Sequence, residues 1–121
     1  MNSPTPLRAE SEVASVVYGF PIYPGAKPLC QQRVYTTDGK HLDWQALTAT
    51  DSPTEVVAWY TEHLGIQGLE ANGTGGTWRV PPDARVQVLD VLPIAAPGPH
   101  CACQATPLPN AQTVIIISRR S

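Results

Sequence analysis

The chain is short of charge. Only 15% of its 121 residues are Asp, Glu, Lys or Arg, against the roughly 25% usual in globular domains. Its polar surface therefore rests on Thr, Gln, Ser and backbone. Basic clusters are absent as well, since Arg119-Arg120 at the C-terminus is the one basic pair and the net charge is −2. A phosphate-binding surface needs clustered Lys and Arg, so nucleic acid is excluded as a partner. No apolar run approaches the roughly 20 residues of a membrane span. The first residues have no charged start followed by an apolar core, so no signal peptide is visible and the cytoplasm is the default compartment. If Met1 is not the native start, the linker-like Ser3-Pro4-Thr5-Pro6 fits a periplasmic or envelope protein instead.

Catalytic signatures are also lacking. There is no Gly-x-Ser-x-Gly elbow. Gly73-Thr74-Gly75-Gly76 has no following Lys-Ser/Thr or helix, which makes it a turn and not a phosphate loop. Asp38, Asp43 and Asp51 lie near turns, where capping and turn chemistry is the usual role of Asp. No catalytic residue is assigned, no cofactor is expected, and the balance leans against an enzyme.

What is present begins with a helix whose two ends are both written in the sequence. Ser52 and Glu55 have capping-box spacing, Pro53 suits the first helical position, and Gly65 supplies a stop. Between them Val56, Tyr60 and Leu64 form one stripe, with Val57 and His63 beside it. His63 sits in the last turn, where a cation favours the helix dipole. Trp59 falls at the border of the stripe.

The rest reads as extended chain. Residues 1–15 are polar and aperiodic, an expected flexible arm ahead of a single domain over 16–121. From Val16 to Tyr23 the chain is apolar and aromatic, yet Pro21, Pro24, Gly19 and Gly25 forbid a long element. That segment is expected to wrap an edge of the core, with Tyr23-Pro24-Gly25-Ala26 as a tight turn. A strand at 34–37, a two-residue turn at Asp38-Gly39 and a partner strand at 40–50 make a hairpin. In the partner strand Leu42, Trp44, Ala46 and Thr48 form the more apolar face, expected to meet the helix. Strands follow at 77–80, 85–92 and 113–118. The last is apolar at nearly every position, as suits a central strand covered on both faces. The second face needs the N-terminal aromatic segment or a second subunit. The expected fold is α+β: an antiparallel sheet of four to five strands with one amphipathic helix on one face.

Two groups of residues are candidate sites. The aromatics Tyr18, Phe20, Tyr23 and Trp59 offer a contact surface for a protein or small molecule. The 93–110 connection, longer than most in compact domains, holds His100, Cys101 and Cys103. With Cys30 these four have the ligand types of a zinc, copper or iron–sulfur site. Against that, a one-residue gap is strained for two ligands of one ion, and no second Cys pair exists. Inert thiols, or a disulfide from Cys30 to Cys101 or Cys103, are the alternatives. The odd count of three cysteines tilts slightly toward reduced thiols.

The segments Tyr23-Pro24-Gly25-Ala26 and Thr50-Asp51-Ser52-Pro53-Thr54-Glu55-Val56-Val57-Ala58-Trp59-Tyr60, with a β-rich ending after them, resemble a group of small bacterial domains of uncharacterised function found in lipoprotein-type and secreted proteins. The resemblance spans about residues 18–119 and implies an α+β fold with no established activity. The order of Leu42–Asp51, Val56–Gly65 and the later strands also resembles one βαβββ module of the vicinal-oxygen-chelate (glyoxalase-like) fold. That likeness implies a dimeric, metal-dependent enzyme or small-ligand binder built around Gln45. His41 lies before the family's first ligand position, and Ile115–Ile117 supply no Glu for the second. The leading expectation is therefore a non-catalytic binding or interaction module. The glyoxalase-like reading comes second, and thiol or metal handling by the 93–110 loop third.

Overall fold

The computed structural model describes residues 16–65, 69–71, 75–80 and 87–120. The arm at 1–15, the glycine turn at 72–74 and the proline break at 81–84 lie outside them. Strands β1 (Val16–Val17) and β2 (Phe20–Pro21) form a small hairpin. The main sheet comprises β3 (Lys27–Tyr35), β4 (His41–Ala49), β5 (Leu69–Ala71), β6 (Gly76–Val80), β7 (Gln87–Pro93) and β8 (Thr113–Arg120). Its order is β3-β4-β8-β7-β6-β5, with every neighbouring pair antiparallel. The α+β class holds. Five strands of five residues or more carry the sheet, and β5 adds a three-residue edge.

Helix α1 (Pro53–Leu64) has the bounds its caps dictate. The Glu55 N–H donates to Ser52 Oγ and the Ser52 N–H donates to Glu55 Oε1, both at 3.2 Å. At the far end the Gly65 N–H donates to Thr61 O. Val56 and Tyr60 are fully buried, and Trp78 on β6 fixes the helix end through Nε1–H to Gly65 O at 3.1 Å.

The two faces of the sheet are covered differently from expectation. Helix α1 and the β1–β2 hairpin lie on the face of Leu47, Ala49, Leu89, Val91, Ile115 and Ile117. Trp44 and Ala46 point the other way, toward Val114 and Ile116, under Leu29, Leu92, Ile94 and Cys103. Trp44 is thus a core anchor, but beneath the 93–110 connection and not beneath the helix. Period-two alternation separates two faces without saying which one meets the helix. β8 is the doubly covered central strand its composition demands, and its second face is closed by that connection. The connection ends on the rest of the fold: Gln112 N–H donates to Ala49 O at 2.9 Å and Thr113 Oγ1 to Asp51 O at 2.7 Å.

Two turns shape the chain on either side of β3. At Tyr23-Pro24-Gly25-Ala26 the Ala26 N–H closes on Tyr23 O at 3.0 Å, with Gly25 at φ 84°. That is the left-handed position a type II turn reserves for glycine after proline. The β3–β4 hairpin differs from the expected two-residue turn. Gly39 N–H donates to Thr36 O at 3.1 Å and Thr36 N–H to Lys40 O at 2.8 Å, which makes 37–39 a three-residue loop. The Thr36 hydroxyl also bonds Asp38.

The two segments that carry the first resemblance meet in space. The Tyr23 hydroxyl bonds Asp51, Tyr23 N–H donates to Tyr60 Oη at 3.1 Å, and Tyr60 Oη–H donates to Pro21 O at 2.7 Å. Trp59 packs edge-on against Tyr23 at 5.4 Å and stacks on His63 at 3.9 Å. This clasp ties the β1–β2 segment to the helix.

Candidate functional site

The helix-side face of the sheet changes character at one end. After apolar rows through Leu47–Ile115–Val91 and Ile117–Leu89, its next row reads Arg33, Asp43, Arg119 and Gln87 on β3, β4, β8 and β7. These are direct cross-strand partners in sequence: Arg33 with Asp43, Asp43 with Arg119, Arg119 with Gln87. Opposite charges paired across strands are favourable neighbours, and here one carboxylate serves two cations.

Asp43 is only 4% exposed. Arg33 grips it with two bonds, Nε–H to Oδ1 at 2.7 Å and Nη2–H to Oδ2 at 3.2 Å. Arg119 Nη2–H reaches Oδ2 from the other side at 3.2 Å, and His41 Nε2 lies 3.6 Å from the same oxygen. The hydrogen bonds from Arg33 hold the Asp43 carboxyl down at about 2, against burial, which pulls the other way, with Arg119 assisting. The bond to Asp43 raises the Arg33 guanidinium in turn, helped by the neighbouring Tyr35 hydroxyl. The guanidinium side chains remain 49% and 42% exposed. Asp43 therefore fixes two arginines by their inner edges while their outer portions face a hollow.

The hairpin supplies the lid of that hollow. Tyr18 and Gly19 are the two central residues of the β1–β2 turn, at φ 49° and 88°. Positive φ at both is the signature of a type I′ turn, in which Asn and Gly dominate. A tyrosine in that left-handed region is strained. Its carbonyl accepts from Gln87 Nε2–H at 2.8 Å, and its ring lies under the Arg119 guanidinium, 4.5 Å from carbon to centroid. Tyr18, Gln31, Gln32, Arg33, Asp43 and Arg119 line a cavity of about 340 Å³. Among the described residues, two guanidiniums and one carboxylate give the lining one excess positive charge, in a chain whose net charge is −2. A second hollow, of about 420 Å³, lies at the β3–β4 tip among Val34, Thr36, Thr37, Asp38, Lys40, His41, Leu42 and Arg120. Among the described residues none of its charged lining groups is anchored in the interior.

Of the expected aromatic contact residues, Tyr18 alone lines the site. Phe20 and Tyr23 are 3% and 8% exposed. Their rings pack into the helix-face core, which corrects the expectation of a free aromatic surface. Trp59 is half-buried against Tyr23, Tyr60 and His63. Burial, with the bond to Asp51 adding to it, raises the Tyr23 hydroxyl to about 12.

The His100, Cys101, Cys103 and Cys30 set is not assembled as four ligands. Cys30 and Cys103 form a disulfide, with Cα atoms 5.9 Å apart, so neither sulfur is a thiolate. Cys101 is a free, exposed thiol with Sγ 3.9 Å from His100 Nε2. His100 is buried in the short 3-10 turn Pro99–Ala102, with Nε2 3.1 Å from Ile94 O. Among the described residues no group of three or more His, Cys, Asp or Glu is placed to hold a metal. Gln45 sits one row inward from Asp43, opposite Gln31 and Ile117.

Sequence reasoning passed over Arg33, Asp43 and Arg119. A signal for the first pair existed, because Arg33 and Asp43 lie symmetrically about Asp38 at the centre of the hairpin loop. A two-residue Asp38-Gly39 turn slips that register by one and sets Val34 against Asp43. A slip of one residue moves every partner to the opposite face. No helix of the described residues is long and apolar enough to cross a membrane. No family model, curated protein or solved structure matches the chain.

Proposed function

We propose that this domain is a non-catalytic binding module, and that its site is the hollow between the β1–β2 turn and the β3–β4–β8 end of the sheet. The observation that carries the reading is a buried carboxylate, Asp43, gripping two half-exposed guanidiniums from two different strands. Side chains fixed in advance lose little freedom when a ligand arrives, and that is what converts contacts into affinity. The strained Tyr18 backbone supports the same reading, since such conformations cluster at ligand clamps. The hollow is at the small end of ligand-site volumes, so the partner is a small molecule. The Cys30–Cys103 disulfide favours an oxidising compartment. This agrees with the resemblance to secreted and lipoprotein-type bacterial domains and moves the proposed location out of the cytoplasm.

The test is a ligand-observed NMR screen of a polar fragment library against wild type and Arg119→Gln. Binding fragments whose signal is lost with Arg119→Gln are the expected result. A screen without binders, or binders indifferent to Arg119, would overturn the proposal. A matching circular dichroism spectrum and melting curve establish that the variant is folded.

A further inference from the structure

We infer that the ligand taken by this site is a small organic monocarboxylate. The inference rests on the proposed binding role and assigns its ligand class.

Three observations define the class. The first is charge. Arg33 and Arg119 contribute two positive charges and Asp43 one negative charge to the lining. Among the described residues one added negative charge neutralises it, whereas a dianion such as phosphate leaves it one charge negative beside the Asp43 carboxylate. The second is the chemistry of the donors. Among the described residues Arg119 donates to protein only through Nη2. Its Nε and Nη1 groups belong to a planar, permanently charged guanidinium whose geometry matches an oxyanion, carboxylate or phosphate, and the charge count above favours the carboxylate. The third is how that guanidinium is held. Asp43 takes one edge and the Tyr18 ring one face, so Arg119 is fixed in its plane and not free to sweep the surface as a long side chain does. The amide of Gln31, on the same face as Arg33 and Asp43 and at the same lining, supplies a neutral donor and acceptor for the remainder of the molecule.

The experiment is a titration of uniformly ¹⁵N-labelled full-length chain, monitored through backbone amides and the arginine Nε–H signals. The probes are acetate, propionate, benzoate, acetamide, phosphate and chloride at constant ionic strength. Saturable shifts of the Arg119 Nε–H and the Tyr18 amide by the carboxylates are expected, with phosphate, chloride and acetamide much weaker. Arg119→Gln should weaken carboxylate binding by about tenfold or more, with Arg119→Lys intermediate because the charge stays and the planar fork goes. If phosphate matches or exceeds the carboxylates, or acetamide moves the same signals equally, the ligand class is wrong while the binding site stands. Chloride acting like acetate reduces the site to a nonspecific anion contact and overturns the inference. If no probe moves these signals the inference also fails, and the fragment screen alone decides whether the domain binds anything there.

Discussion

Arg119 lays its guanidinium across the ring of Tyr18, 4.5 Å from the centroid, while the same group donates to buried Asp43. The contact joins the first described turn of the chain to its last strand. It also places a tyrosine at a backbone position suited to asparagine or glycine. An exposed cation–π contact is worth about 0.5–1 kcal/mol, and a non-glycine residue in the left-handed region costs about 1–2 kcal/mol. The cost equals or exceeds the gain, so stability alone does not account for the tyrosine.

Tyr18→Asn should therefore keep stability within about 1 kcal/mol of wild type while weakening ligand binding at the site. Urea denaturation and fragment affinity measured on the same preparation check this. A variant that loses several kcal/mol would make Tyr18 a packing residue.

Asp43 links the site to acid stability. Its carboxyl titrates at about 2 in the folded chain against an ordinary 3.8, so the folded state favours the ionised form. That contribution is fully present above pH 3.8 and is lost as pH falls from there through 2. Denaturant midpoints measured from pH 6 to pH 2 should fall more steeply for wild type than for Asp43→Asn, whose profile should be flatter over that interval. Asp43→Asn should also be less stable at pH 7, because it leaves two guanidiniums side by side.

The clasp between Tyr23 and Asp51 acts at the opposite end of the pH scale. The Tyr23 hydroxyl is raised from 10 to about 12, so the folded state favours its neutral form. The stabilisation is whole below pH 10 and is lost as pH rises through 12. Tyr23→Phe should shed this part of the alkaline loss, visible as a shallower fall in melting temperature between pH 9 and 11.5.

The Cys30–Cys103 disulfide spans a separation of 73 residues and pins the 93–110 connection over Trp44, Ala46, Val114 and Ile116. Its removal by Cys30→Ser with Cys103→Ser should cost about 2–4 kcal/mol. Cys101→Ser, at an exposed thiol, should change stability by less than about 0.5 kcal/mol. Guanidinium denaturation of both variants decides the matter. Equal effects would show that the disulfide does not hold the connection.

Helix α1 was legible to the residue because its signals are local: the Ser52–Glu55 box, Pro53 and Gly65 act within one turn. β8 was legible because an uninterrupted β-branched run has few other places to go. The turn at Tyr23–Ala26 came from the fixed φ of proline and the freedom of glycine. Facing was not legible. Leu47 and Trp44 are both apolar, and only the path of the chain after Leu64 decides which of them meets the helix. The site was hidden for a related reason. Arg33 and Asp43 flank one hairpin ten residues apart, Arg119 lies 76 residues beyond Asp43, and the three meet only through the β3–β4 and β4–β8 registers. The first depends on a loop of three residues in place of two, and the second on a pairing that no local pattern encodes.

The decisive measurement is backbone amide shift mapping with the strongest fragment binder. A binding site in the Tyr18–Arg119 hollow requires saturable shifts confined to Tyr18, Gln31, Gln32, Arg33, Asp43, Arg119 and their immediate neighbours. Shifts centred elsewhere, on the 93–110 connection or the β3–β4 tip for instance, would contradict it.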